Sequence, residues 1–352
     1  MHFVVVERSA TVSGGTTYLL LVAEALVRRG HRFTLAAWPG PLSKSFAAVG
    51  AALVPTLCWP FNLPQIAWFL RHHPPDAFIC GNRARVRHAA VALSRRHGVP
   101  CICVLHDPPR PHDRPEDYRR YSAMLSMEGP IRDRVLAGGV PPERVCLAPR
   151  PIRTRPLAGR PARGGHVVHL GRLSTQKTES ALALVAAVPR LRASMPEVTV
   201  SVVGGGGRLQ AVASAARAAN DACGATVVDV VGETADPLTW IERADVVVAG
   251  GYSCMEALYN GRPAIGSGFG WFGPVTQTNV EAGTAVHFGD RSSEPVTSDR
   301  IVRAIQEVRD DLVAHDASSR FWPRRTWFAH DHSADHAAEI LERLAMDPVG
   351  AA

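Results

Sequence analysis

Gly171-Arg172-Leu173-Ser174-Thr175-Gln176-Lys177 sets an arginine and a lysine close together, directly after the apolar run His166-Val-Val-His-Leu170. The run reads as a buried strand, and the residues after it as a long helix from about Ser174 to Ser194. A strand that delivers two cations to the mouth of a helix places them beside the positive end of the helix dipole, which suits a diphosphate. The chain has two lysines, Lys44 and Lys177, against thirty-seven arginines, so Lys177 is less easily read as a random surface cation. A solvated helix start is the plainer alternative. His106-Asp107 ends a second apolar run, Cys101-Ile-Cys-Val-Leu105. A titratable pair at the carboxyl end of a central strand is where catalytic groups sit in parallel α/β sheets, and a histidine that merely caps the loop is the alternative.

The elements that must position these groups repeat down the chain. Val198 to Gly204 reads as a strand that runs into four glycines, Gly204 to Gly207, before a helix from Arg208 to Cys223. Thr226 to Glu233 is the next strand. Asp245-Val-Val-Val-Ala249 follows, and breaks at Gly250-Gly251 into the helix Tyr252-Ser-Cys-Met-Glu-Ala-Leu-Tyr-Asn260, which Gly261 stops. Strands of near-continuous valine alternating with helices specify an α/β fold with a parallel, doubly wound sheet covered on both faces. Ligands of such sheets bind off the carboxyl ends of the strands, so the Gly-rich turns, Arg172, Lys177 and Glu256 should share one edge. The first half has the same rhythm. Strands are expected at His2–Val6, Arg32–Ala36, Ala51–Thr56, Asp76–Cys80, Ser122–Met127 and Val145–Pro149, besides the run before His106. Ser13-Gly14-Gly15 precedes a helix from Thr16 to Arg29, and its two glycines permit close backbone approach to a ligand. Arg150 to Gly165, rich in Pro, Gly and Arg, reads as the linker between two domains.

The ordered set Gly-Arg-Leu-x-x-x-Lys, Val-Val-Gly-Gly-Gly, Val-Val-Gly-Glu, Ala-Asp-Val-Val-Val and Met-Glu-Ala-Leu-Tyr-Asn-Gly-Arg-Pro-Ala-Ile resembles the donor-binding half of GT-B glycosyltransferases, with family 4 the nearest pattern. The resemblance implies two Rossmann-like domains facing across a cleft. Residues 1–155 would take the acceptor and 156–332 the nucleotide-sugar donor, with a terminal helix at about 333–352 crossing back onto the first domain. It implies that Arg172 and Lys177 grip a diphosphate, that Glu256 holds the ribose hydroxyls, and that the backbone near Glu233 reads the base. It also implies that His106 contacts the donor sugar and that Gly14-Gly15 face the donor phosphate. The sequence departs from family 4 at one point. The family usually carries a second glutamate eight positions before the one matched by Glu256, and here that position is Val248. The short turn Gly251-Tyr252-Ser253-Cys254 instead resembles the tight phosphate-binding turn of the cell-wall lipid-intermediate and UDP-glycosyltransferase branches, whose backbone amides would hold a phosphate. Family-4 behaviour implies retention. The other branch implies inversion, with His106 or Asp107 as the base.

At 352 residues the chain has room for two cores. No uninterrupted apolar stretch reaches the ~18 residues of a membrane span, and Glu7-Arg8 follow the first strand too soon for a signal peptide. Seven scattered cysteines without a Cys-x-x-Cys pair fit reduced thiols in a cytoplasmic protein. The fifteen histidines show no metal-ligand spacing, and His72-His73 and the group His330, His332, His336 read as surface and helix residues. No metal site and no cofactor are expected beyond a nucleoside-diphosphate sugar of UDP or GDP type as co-substrate. Residues 1–160 carry a net +12 and residues 161–352 a net −5. A basic first half favours an acidic small-molecule or lipid acceptor, or peripheral contact with the anionic inner face of a membrane, with plain solubility as the alternative. Nucleic acid is disfavoured, because the basic residues lack an aromatic-studded sheet or a recognition-helix motif.

The stretch from Cys58 to Leu70 is rich in aromatics and proline, and reads either as core packing or as an amphipathic surface for membrane or a bulky acceptor. Pro108 to Pro115 would shape the acceptor pocket. Gln277 would reach the donor sugar, and a strand from Ala285 to Phe288 would close the second sheet. Helices are expected at Ser298–His315 and Ser333–Met346. Three rival functions stand beside the transferase: a dinucleotide-dependent oxidoreductase suggested by Gly204 to Gly207, a nucleotide-sugar epimerase, and an inactive nucleotide-sugar-binding protein. The first lacks Gly-x-Gly-x-x-Gly in its first βα turn.

Overall fold

The computed structural model describes residues 1–11, 13–56, 63–81, 84–106, 118–155, 165–328 and 330–347. Asp107, the loop 108–115, residues 58–62 of the aromatic stretch, Arg83 and linker residues 156–164 lie outside the described residues. The chain divides into two compact units, Met1–Pro151 with His330–Ala352, and Ile152–Ala329.

The first unit is built on seven parallel strands, β1 (His2–Ser9), β2 (Arg32–Trp38), β3 (Ala52–Pro55), β4 (Ala77–Gly81), β5 (Cys101–Leu105), β6 (Ala123–Ser126) and β7 (Val145–Leu147), in the order β3-β2-β1-β4-β5-β6-β7. β1 pairs with β2 on one edge and β4 on the other, and its Phe3 and Val5 enter one core while Val4 and Val6 enter another, so the strand is buried on both faces, as its unbroken apolar run requires. One face is covered by α1 (Gly14–Arg28), the other by α3 (Leu63–His72), α4 (Ala84–His97) and α5 (Gly129–Ala137); α2 (Ser43–Ala48) is short and buries Phe46. The chain's last helix, Ala334–Met346, returns to pack beside α1. Ile340, Leu341 and Leu344 are fully buried there, each worth roughly 1.5–3 kcal/mol relative to exposure. Its Glu342 accepts from Arg29 Nε at 2.7 Å and meets His31 Nε2 at 2.7 Å. The Arg29 guanidinium, helped by His31, holds the Glu342 carboxyl below the usual carboxylate range.

The second unit has six strands, β8 (His166–Leu170), β9 (Thr199–Val203), β10 (Val228–Gly232), β11 (Val246–Ala249), β12 (Ala264–Ser267) and β13 (Trp271–Pro274), in the order β10-β9-β8-β11-β12-β13. The first five are parallel and β13 runs antiparallel to β12. Helices α6 (Thr178–Ser194), α7 (Leu209–Cys223) and the later Ser298–His315 cover one face; α8 (Pro237–Arg243) and α9 (Gly251–Tyr259) cover the other. The strand order reverses between β8 and β11, and the crevice outside the carboxyl ends at such a switch point is where open α/β sheets bind ligands.

Two expectations fail here for local reasons. Residues 285–288 form no strand: α10 (Val280–Ala285) ends there, and His287 and Phe288 take left-handed φ values of 52° and 47°. The turn carries Phe288 into the core, where its ring meets Phe272 edge-on at 5.9 Å, and β13 closes the sheet instead. The helix expected from Ser174 begins at Thr178. The Ser174 carbonyl accepts both the Lys177 and Thr178 amides, a turn that leaves Lys177 at the helix cap. The six described cysteines are free, and Cys80, Cys101, Cys103 and Cys254 are buried. Cys80 and Cys103 are partners across neighbouring strands, and contact with Cys101 and Cys103, together with burial, pushes the Cys80 thiol up.

Candidate functional site

In the second unit the carboxyl edge collects the sequence-selected residues in turns. Gly171 and Arg172 follow β8, Gly204 and Gly205 follow β9, Glu233 follows β10, and Gly250 and Gly251 follow β11. Gly204 and Gly206, with φ of 148° and 147°, lie so close to the Gly171 and Leu173 carbonyls that no Cβ fits, and Leu173 N donates to the Gly205 carbonyl at 2.9 Å. Those glycines thus let two turns interlock. A Cβ on Gly205 would stand 2.9 Å from Glu233 Cβ, so the exposed Glu233 lies directly over that turn.

The two cations separate in character. Arg172 is exposed and forms no hydrogen bond or ion pair with a described residue. Lys177 Nζ donates to Asp290 Oδ2 at 2.5 Å and stands 4.9 Å above the Phe269 ring. Asp290 in turn packs against Gly250 and Gly251, so one ion pair ties the cap of α6 to the start of α9. In α9, Tyr252 meets the His287 ring at 5.0 Å, Ser253 is half-buried, and Glu256 is half-buried one turn further on. Cys254 is buried, its thiol raised by burial and then by the Asp290 charge, so it offers a ligand its backbone alone. Val248 is sealed inside β11, in register with His169 and Ile265, and no side chain leaves the sheet where family 4 places its other glutamate.

In the first unit, His106 sits just beyond β5 with its ring on the start of α1. A Cβ on Gly15 would come 3.4 Å from His106 Cδ2, and Tyr18 meets the same ring edge-on at 5.1 Å. Arg150 donates to the Gly14 carbonyl, and a Cβ on Gly14 would stand 2.9 Å from its Nη1. Gly14 therefore makes room for a guanidinium, while a side chain at Gly15 would only touch the imidazole at ordinary contact distance. Ser13 caps α1 by accepting from the Thr16 amide at 3.2 Å. Burial raises the Tyr18 phenol, whose hydroxyl has no partner among the described residues.

Asp290, His169, Tyr18 and Arg150 line these places without having been singled out by sequence. Asp290 follows an irregular turn whose form no periodicity announces, and Arg150 is one arginine among thirty-seven. Gln277 lies elsewhere. Pro274 pairs with Ile265 near the start of β12, so the segment that follows it, Gln277 included, is at the opposite edge from Lys177. Gln277 there borders a cavity of about 680 Å³ with Trp322 and Arg324. Among the described residues no group of three or more His, Cys, Asp or Glu is placed to hold a metal ion, and no helix is long and apolar enough to cross a membrane.

Comparison with known families matches residues 12–156 to Glycosyltransferase Family 4 and residues 164–307 to Glycosyl transferases group 1. The chain is a family-4-like GT-B glycosyltransferase. No curated protein matches it. Among solved structures, a glycosyltransferase from Rickettsia africae ESF-5 superposes with a TM-score of 0.72 at 13% identity, covering 99% of this chain and 98% of that one. HepE of Anabaena, solved with UDP, gives 0.62 at 15% identity over 100% and 97%. A UDP-GlcNAc 2-epimerase from Neisseria meningitidis, bound to UDP-GlcNAc, gives 0.64 at 9% identity over 98% and 100%. At these identities the structural likeness speaks for the fold. The glycosyltransferase thus has two Rossmann-like parallel-sheet units, and the family matches together span parts of both.

Proposed function

We propose that the second unit binds a nucleoside-diphosphate sugar of UDP or GDP type and the first unit an acidic small-molecule or lipid acceptor. The glycosyl transfer is metal-independent and retaining. The observation that carries the donor assignment is the meeting of the Lys177 ammonium and the Gly250-Gly251 turn at one edge, joined through Asp290. Arg172, Lys177 and the amides of residues 251–254 would stabilise the departing nucleoside diphosphate, where negative charge develops. Glu256, one turn along α9, would hold the ribose, and the Gly204-Gly205 and Glu233 turns the base. The sequence has no Asp-x-Asp motif to bring a metal to the diphosphate. Retention requires no protein base, so His106, held on Gly15 and Tyr18, would serve the donor sugar. The net +12 of residues 1–160 supports an acidic acceptor and contact with an anionic membrane surface. On α3, Trp68 is 64% exposed and lines a groove with Arg71 and Arg96, a surface of suitable chemistry for such contact.

The test is a thermal-shift panel of UDP, GDP, ADP and NAD(H) on the wild type and Lys177→Ala. A ligand at a hundred times its dissociation constant adds about 2.7 kcal/mol to stability, a plainly visible shift. The expected result is a shift with UDP or GDP that Lys177→Ala abolishes. A shift with NAD(H) alone would return the protein to the oxidoreductase reading. Donor that is bound but interconverted without an acceptor would make it an epimerase.

A further inference from the structure

Asp290 follows the left-handed pair His287 and Phe288 and a glycine with φ of 102°. Its carboxylate enters a cradle of three glycines. A Cβ on Gly250 would lie 2.8 Å from Oδ1, one on Gly251 2.5 Å from Oδ2, and one on Gly268 closer still to Oδ1. Gly251 and Gly268 are thus kept clear of side chains for a side chain of the protein itself, and Gly250 for that carboxylate and the Gly268 backbone, whose Cα a Cβ there would meet at 2.6 Å. Oδ2 accepts from Lys177 Nζ at 2.5 Å, while Oδ1 is sealed from solvent with no hydrogen-bond partner among the described residues. A carboxylate retained for stability alone would have both oxygens satisfied, because a buried acceptor without a donor is costly. The Lys177 ammonium is confined as well, between this carboxylate and the Phe269 ring.

We infer that Asp290 is a built-in counter-anion of the donor site, a fixed negative charge that weakens the grip of Lys177 on the diphosphate. It thereby sets how tightly donor is held and how readily the nucleoside diphosphate product leaves. The inference rests on the reading that Lys177 binds the donor diphosphate. Its physical basis is simple. Packed against backbone at three glycines, the carboxylate has little room to withdraw when a phosphate arrives. The phosphate must then share the ammonium with a like charge a few ångströms away, and like charges at such range in a partly dry site repel strongly. The geometry also explains why the turn after β11 carries two glycines. Gly251 accommodates Asp290, Gly250 accommodates both Asp290 and the Gly268 backbone, and the phosphate need not be what they were cleared for.

Asp290→Asn separates charge from shape, since asparagine fills the cradle and still presents an oxygen to Lys177. Calorimetric titrations of UDP, GDP, uridine and guanosine into the full chain would compare wild type, Asp290→Asn and Lys177→Ala. The preferred nucleoside diphosphate is expected to bind Asp290→Asn about tenfold tighter than wild type, with the gain shrinking at high salt. The neutral nucleoside should bind both alike, which also reports that the variant is folded. Diphosphate affinity that is lost in Lys177→Ala yet unchanged or weaker in Asp290→Asn would overturn the counter-anion and leave the donor site standing. Diphosphate affinity that Lys177→Ala leaves untouched, or no binding to the wild type, would bring down the donor-site reading and this inference with it.

Discussion

His169 offers a quantitative test of how the second unit is built. It lies in β8 between Val202 and Val248, fully enclosed, and its Nδ1 has no hydrogen-bond partner among the described residues. Burial first, and the Lys177 ammonium second, lower its pKa from 6.5 to about 4. The folded protein therefore keeps the ring neutral where the unfolded chain would protonate it. The resulting stability is present in full above pH 6.5 and is lost as pH falls from there toward 4. Linkage puts the loss from this one residue at about 2.5 kcal/mol between about pH 7 and about pH 4.5. Replacing the ring with one of similar size and no proton, His169→Phe, should remove that dependence. Urea denaturation of wild type and variant at the two pH values is the assay, and the difference between the proteins cancels every other titrating group. Wild type should lose that amount more than the variant. Identical pH dependence would refute the argument, because a ring that titrates near its ordinary value cannot be as dry as the structure places it.

Other expectations follow from the same contacts. Gly251→Ala puts a Cβ 2.5 Å from Asp290 Oδ2 on a residue with φ of 57°, so the melting temperature should fall by several degrees and nucleoside diphosphate binding should weaken. A variant with wild-type melting and affinity would show that the turn does not depend on this packing. Glu342→Gln removes the partner of Arg29 and His31 that ties the last helix to α1. Because those partners lower the Glu342 pKa, their stabilisation is present above the ordinary glutamate range and lost as pH falls through the folded value. The variant should therefore melt a few degrees below wild type near neutral pH and converge with it in acid; a gap that widens in acid would contradict the assignment.

The strands, the alternation with helices and the carboxyl-edge turns were legible in the residues themselves, because long valine runs and Gly-stopped helices carry their own local physics. Arg172, Lys177, Glu256 and the Gly-rich turns at 204–207 and 250–251 could be placed at one edge on that basis, since parallel strands must all end on the same side. Lys177 also stood out by rarity. What periodicity could not reach were departures from regular structure: the late start of α6 at Thr178, the left-handed turn at His287 and Phe288 in place of a strand, and the antiparallel β13. Pairings across long stretches of chain were equally out of reach. That Lys177 meets Asp290, that Gly251 and Gly268 are cleared for that carboxylate, and that Gly14 makes room for Arg150 depend on side chains far apart in sequence. Sequence alone determined which cations and glycine turns share one edge of the sheet. Only the tertiary structure decided that the lysine already has an anion of its own, because an ion pair between distant residues is set by how the turns pack and leaves no trace in local spacing.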